Sequence, residues 1–246
     1  MPWTHLIVDD EGPVTTITLN RPEKRNALSR AVMEELIAAL EAASGRVVVL
    51  AGNGPAFSAG HDLVEIVDGD ESTHVAVFDT CNRLMATVGH IDQPVIARVH
   101  GIATAAGCQL VAACDLAVAA RDARFATPGV NIGLFCSTPA VPVVRAVGEK
   151  RAMQLLLTGE PIDADTACAW GLVNEVVEPD ALEAAVARLA SRVAEADPRV
   201  VALGKRTFRR QVTTDPGTAY AIAADAMVEN AAWPEATSGI SKFLKR

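Results

Sequence analysis

A chain of 246 residues, half of them hydrophobic and only 4% aromatic, is long enough to bury about 70–75% of its unfolded surface around one large core. A net charge of −8 excludes a general nucleic-acid binder, and the absence of any uncharged apolar run of about 18 residues leaves no expected membrane partner. Five cysteines without a C-x-x-C pair exclude a disulfide framework and a zinc ribbon, and a start without a basic, apolar leader predicts a cytoplasmic chain.

In chain order, "GPVTTITLNRP" alternates apolar and polar positions from Val14 to Leu19 and stops at Asn20-Arg21-Pro22, which predicts a strand ended by a turn. Ser29 is an N-cap residue, and Val32, Leu36, Ile37 and Leu40 recur at helical spacing, so residues 30–43 are expected to be helical. "RVVVLAG" is a buried strand, and strand–helix–strand implies a crossover unit. The alternation continues with a helix near residues 74–88, a strand "PVIARVHG", a helix across 107–113, a strand "LAVAA" and a short strand about "ARFAT".

From Pro139 the signals are mainly helical, with "LVNEVV" the one further strand candidate. Helix starts fall at Asp197-Pro198, Asp215-Pro216 and Trp233-Pro234, where proline suits the first helical turn. The expected fold is therefore α/β, with a core over residues 1–195 and a helical layer over 196–246.

Two glycine-containing turns could carry chemistry. "AGNGPAFSAGHDL" lacks the Gly-Lys-Ser/Thr ending of a phosphate loop, and Phe57 occupies the third glycine position of a dinucleotide fingerprint. What is left is a turn at Ser58-Ala59-Gly60, a polar His61-Asp62 pair and a helix start with free backbone N–H groups. "ATAAG" offers a second such turn, and two turns, each following a strand, can supply two donors to one carbonyl oxygen.

"NRPEKRNAL", "AFSAGHDL", "GIATAAGCQLVAACDLAVA", "FATPGVNIGL", "LLLTGEPIDADTACAWGLVNEVV" and the terminal "ISKFLKR" together resemble the crotonase superfamily, the enoyl-CoA hydratase/isomerase family. "ATPGVNIGLFCSTP" is similar to its enoyl-CoA hydratase domain-containing subgroup. The resemblance implies a spiral of repeated β-β-α units, a helical C-terminal region that forms a homotrimer or a dimer of trimers, and an acyl-CoA thioester as substrate with no cofactor.

By the same resemblance the oxyanion donors are the backbone N–H groups of His61 and Ala106, with Ala59, Gly60, Asp62 and Leu63 around the first. Lys24, Arg25 and Ala27 would hold the CoA nucleotide, Thr127 and Cys136, with Ser137 and Thr138, the acyl pocket, and Phe243 and Arg246 would reach a neighbouring subunit's CoA.

The chain departs from the family at two places. Gln109 and Gly129 stand where a hydratase of this family carries its two glutamates; an amide orients water but accepts no proton at neutral pH, and glycine offers no side chain. His61 is either a ligand-facing side chain or a turn histidine, and Asp62 and Glu65 are either bases or dipole-favoured carboxylates of a first helical turn. Three functions follow from the resemblance: a hydratase/isomerase-like enzyme working through an oxyanion hole, a decarboxylase of malonyl-type thioesters, and a non-catalytic acyl-CoA-binding or regulatory subunit.

Overall fold

The computed structural model describes residues 3–245. Strand β1 (Leu6–Asp9) runs antiparallel to β2 (Val14–Leu19), where Thr15, Ile17 and Leu19 are buried and the residues between them half-buried. A short helical turn, Pro22–Lys24, leads to α1 (Arg30–Ala42), whose Ser29 cap accepts from the Val32 N–H. Then come β3 (Val47–Gly52), α2 (Leu63–Val67) and α3 (Glu71–His90).

Two β-β-α units follow. The first is β4 (Val95–Val99), β5 (Ile102–Thr104) and α4 (Ala106–Ala113); the second is β6 (Leu116–Ala120), β7 (Arg124–Ala126) and α5 (Ser137–Val147). Helix α6 (Glu149–Thr158), β8 (Ile162–Asp163), α7 (Ala164–Trp170), β9 (Glu175–Val177) and α8 (Leu182–Ala194) complete the strand-bearing part. Helices α9 (Pro198–Gln211), α10 (Pro216–Ala231) and α11 (Pro234–Leu244) end the described chain.

Each unit gives one strand to each of two sheets, in the orders β1-β2-β3-β4-β6-β9 and β5-β7-β8. Beyond the β1–β2 pair the larger sheet is parallel, and both its faces are covered, as such sheets require. Alternate residues of β3 divide between the faces: Val48 and Leu50 join the main core with α1, α3 and α4, while Val47 and Val49 pack on Leu182, Val186 and Ala190 of α8. Isolated bridges Leu28 to His61 and Ser58 to Ala103 extend the smaller sheet's edge and bring the two glycine-containing turns side by side.

The strands and helices expected from periodicity are present, as are all three proline-led helices. Strands β1, β5 and β8 go beyond those expected, and β5 falls on the small-residue stretch that reads as a turn before α4. β1 is four residues with a single buried side chain, and β8 is two residues long, so neither carries a periodic signal; each exists because a longer neighbour supplies its pairing. No helix among the described residues is long and apolar enough to cross a membrane.

Helix α9 is tied to the core through Asp115, whose carboxylate accepts from Lys205 Nζ and Arg209, each at 2.8 Å, and from the Val95 N–H. Lys205 also donates to the carbonyls of Val88 and Gln93. Arg209 thus belongs to a half-buried ion cluster with Asp115 and Lys205.

Candidate active site

The first turn is stitched to the loop that precedes α1. Asn26, buried and left-handed at φ 53°, accepts from the Arg21 N–H through Oδ1 and donates through Nδ2 to the carbonyls of Asn53 and Ala56. Ala59 N–H donates to the Arg25 carbonyl at 2.9 Å and Leu28 N–H to the Gly60 carbonyl at 2.7 Å. Asparagine tolerates this backbone region because its short polar side chain bonds locally. Lys24, Arg25 and Ala27 are thereby held beside Ala59, Gly60 and His61.

Gly60 has φ +89°, and a Cβ there would stand 2.9 Å from Ala105 Cβ and 3.2 Å from Ala106 N. Only glycine permits that approach. Thr104 Oγ1 donates to the Ala59 carbonyl, and Thr104 N–H to that of Ser58, which locks the second turn against the first. The strained residue of the second turn is Ala105, at φ 48° and ψ −116°, whereas Ala106 opens α4 without a positive φ. Among the described residues no backbone acceptor pairs with the N–H of His61 or of Ala106.

A cavity of about 460 Å³ lies against both turns. Ala59, His61, Leu63, Ile66 and Phe78 line one side, Ala105 and Ala106 the floor, and Pro128, Gly129, Ile132, Leu134, Phe135 and Cys136 the other side. Ser137, Thr138 and Pro139, in the first turn of α5, complete it. Among the described residues no Asp or Glu lines it, and no group of three metal-ligating side chains occurs.

The ionisable groups of the cavity are an imidazole and a thiol. His61 stands edge-on to Phe78, with ring centroids 5.5 Å apart, and both its ring nitrogens are buried without a hydrogen-bond partner. Burial holds the His61 pKa below its ordinary value, and the adjacent Leu28 backbone only partly offsets this. Burial likewise raises the Cys136 thiol pKa, with a smaller opposing effect from the Gly129 backbone.

Asp62, Glu65, Thr127 and Gln109 do not line this cavity. Asp62 caps α2 by accepting from Val64 N–H and pairs with Arg21 at 3.6 Å, so its carboxylate is committed away from the cavity. Glu65 accepts from Arg30 N–H. Thr127 is fully enclosed with its Oγ1 unpartnered, and its successors Pro128 and Gly129 form the wall instead. Gln109 is buried against Cys81 and borders a different, more polar cavity. Phe243 is 74% exposed on α11, and Arg246 lies outside the described residues.

Gly129 is walled in. A Cβ there would stand 2.6 Å from the Leu134 carbonyl oxygen and 2.8 Å from Cys136 Sγ, so the loop has closed into the space a glutamate would need. Sequence spacing gave no sign of the apolar walls at Ile66, Phe78, Leu134 and Phe135, because loop closure, not periodicity, brings them together.

The family model described as enoyl-CoA hydratase/isomerase matches residues 9–246. The chain belongs to the enoyl-CoA hydratase/isomerase family. Its fold is the crotonase fold of that family: it superposes on an enoyl-CoA hydratase from Mycobacterium smegmatis at 49% identity with a TM-score of 0.95, covering 98% of this chain and 96% of that one. The human enoyl-CoA hydratase domain-containing protein 3 structure gives 42% identity and a TM-score of 0.95, covering 98% of both chains. The mouse enoyl-CoA hydratase domain-containing protein 3, mitochondrial, is 45% identical over 238 residues, 95% of this chain and 79% of that protein.

This overturns the cytoplasmic expectation, since the mouse, rat and human relatives are all described as mitochondrial. The expectation rested on a missing secretory leader, a pattern that bears on secretion and not on an organelle.

Proposed function

We propose that this member of the enoyl-CoA hydratase/isomerase family binds an acyl-CoA thioester and polarises its carbonyl with the N–H groups of His61 and Ala106. The observation that carries the reading is the pair of unpartnered N–H groups on two locked turns facing one apolar cavity. Donors fixed in a water-poor site are worth about 2.7–4 kcal/mol each to a developing oxyanion. Lys24, Arg25 and Ala27, on the loop bonded to the first turn, hold the CoA nucleotide.

Neither glutamate position contributes a base, and the ring nitrogens of His61 are buried away from the cavity, so the oxyanion donors act without a positioned general base. Burial lowers the His61 pKa, which keeps the imidazole neutral at neutral pH. Hydration then runs slower than in a two-carboxylate hydratase, by about 10²- to 10⁴-fold for each missing group. Helices from residue 196 onward serve as the assembly region of a homotrimer or a dimer of trimers, with Tyr220, Met227, Val228 and Phe243 as exposed apolar side chains to be covered.

A second reading, decarboxylation of a malonyl-type thioester, is favoured by the absence of lining carboxylates among the described residues, because loss of carbon dioxide to an enolate needs the oxyanion donors and no strong base. Incubation with crotonyl-CoA and with methylmalonyl-CoA separates them. Hydroxyacyl product supports the first reading and released carbon dioxide the second. Thioester binding without turnover leaves a binding subunit, and no binding of any CoA ester defeats all three.

A further inference from the structure

We propose that the acyl group continues beyond the oxyanion turns into a second compartment that recognises an ω-carboxylate, making dicarboxylic acyl-CoA thioesters the preferred ligands. The inference rests on the acyl-CoA reading above and extends it to the far end of the acyl chain.

The compartment is a cavity of about 310 Å³ between α3, α4 and α5, closed by Arg209 of α9. Thr138 borders both this cavity and the one at the oxyanion turns. Ala106 of the first and Gln109 of the second are three residues apart on α4, so they share a helix face. Along α5, Thr138, Val141, Pro142 and Arg145 line the compartment at helical spacing. At about 1.5 Å per residue this face runs about 10 Å from Thr138 to Arg145, a path along which a medium-length acyl chain could lie.

The polar groups of the compartment are donors. Gln109 is 3% exposed; its Oε1 takes a long 3.7 Å contact from the Cys81 thiol, and among the described residues no acceptor pairs with its Nε2. That amide donor is available to the compartment, and a ligand oxygen would accept from it. Arg145 spends one guanidinium nitrogen on the Val141 carbonyl, and Arg209 one on the Ala113 carbonyl and Asp115, which leaves further N–H groups on both. No Asp or Glu lines the compartment among the described residues, and the nearby Asp115 is already matched by Lys205 and Arg209.

Glutamine at 109 fits this role on charge. A glutamate there would repel an anionic acyl terminus, whereas the amide donates to it, and donors that pair with a carboxylate make the stronger, charge-assisted bond. The exchange that removes a proton acceptor from the family position thus favours a different end of the substrate.

The test compares calorimetric affinities of octanoyl-CoA and suberyl-CoA, which differ in the ω-carboxylate, for the full chain and for R145Q and Q109E. Wild type should bind suberyl-CoA at least about tenfold more tightly, or by about 1.4 kcal/mol. R145Q should bring the two affinities together, and Q109E should reverse the preference. Arg145 is solvent-exposed, so R145Q decides the matter even where Q109E fails to fold. Equal affinities in wild type, or a preference that survives both substitutions, overturn the inference while the acyl-CoA reading stands; binding of neither thioester overturns both.

Discussion

Cys136 Sγ lies 2.8 Å from where a Cβ on Gly129 would stand, so the sulfur fills the space that a side chain at 129 would have to enter. The Leu134 carbonyl, at 2.6 Å from the same point, closes the other side. Backbone cannot yield there as a flexible side chain can. Gly129→Ala should therefore lower unfolding stability by about 1–3 kcal/mol in urea, the cost of overpacking a filled site. Gly129→Glu should destabilise further without restoring crotonyl-CoA hydration, and a gain of hydration would mean that the 134–136 loop moves aside freely.

Ala105 holds φ 48° and ψ −116°, a region costly for any residue with a Cβ. Relief of about 1–3 kcal/mol of strain outweighs the added unfolded-state entropy of glycine. Ala105→Gly should raise unfolding stability by about 1 kcal/mol in urea, and no change would show that the Ala105 N–H bond to the Ala126 carbonyl, at 2.9 Å, does not hold this residue under strain.

His61 has a folded-state pKa below its ordinary 6.5 because burial disfavours the imidazolium. The unfolded chain therefore binds the proton first as pH falls. Stability from this group is fully present above about 6.5 and is lost as pH falls from there through the folded pKa. Urea midpoints measured from neutral to mildly acidic pH should fall more steeply for wild type than for His61→Gln. Parallel profiles would place the imidazole in a solvated environment.

Asp115 neutralises Lys205, whose side chain is 6% exposed, and also pairs with Arg209. Burial, with a smaller contribution from the Arg209 charge, lowers the Lys205 pKa, and the Asp115 carboxylate opposes that shift. Asp115→Ala would leave an ammonium unpaired in the interior and should cost about 3–5 kcal/mol, with protease susceptibility of α9 rising in step. Intact protection of α9 in the variant would show that the carbonyls of Val88 and Gln93 suffice to hold it.

Most of the architecture is legible in the chain because its signals are local. Ser29 caps α1 three residues before Val32, and prolines 198, 216 and 234 each open a helix. Ordered motifs over nearly the whole length identify the family. The cavity is less legible, since Phe78, Ala106 and Leu134 come from three distant segments and meet only through the spiral. Sequence also assigns Asp62 and Thr127 to the site, whereas an ion pair with Arg21 claims the first and complete enclosure the second. The strained residue is Ala105, one position before the expected donor, which no pattern of small residues distinguishes from Ala106.

The central claim is that the His61 and Ala106 N–H groups bind a thioester oxygen. It is tested most directly by the infrared carbonyl stretch of isotopically labelled octanoyl-CoA bound to the protein. Wild type should shift the stretch to lower frequency, and Gly60→Ala, whose Cβ would stand 3.2 Å from Ala106 N and part the two turns, should abolish the shift. A bound thioester whose carbonyl stretch stays at its solution frequency in wild type would contradict the account.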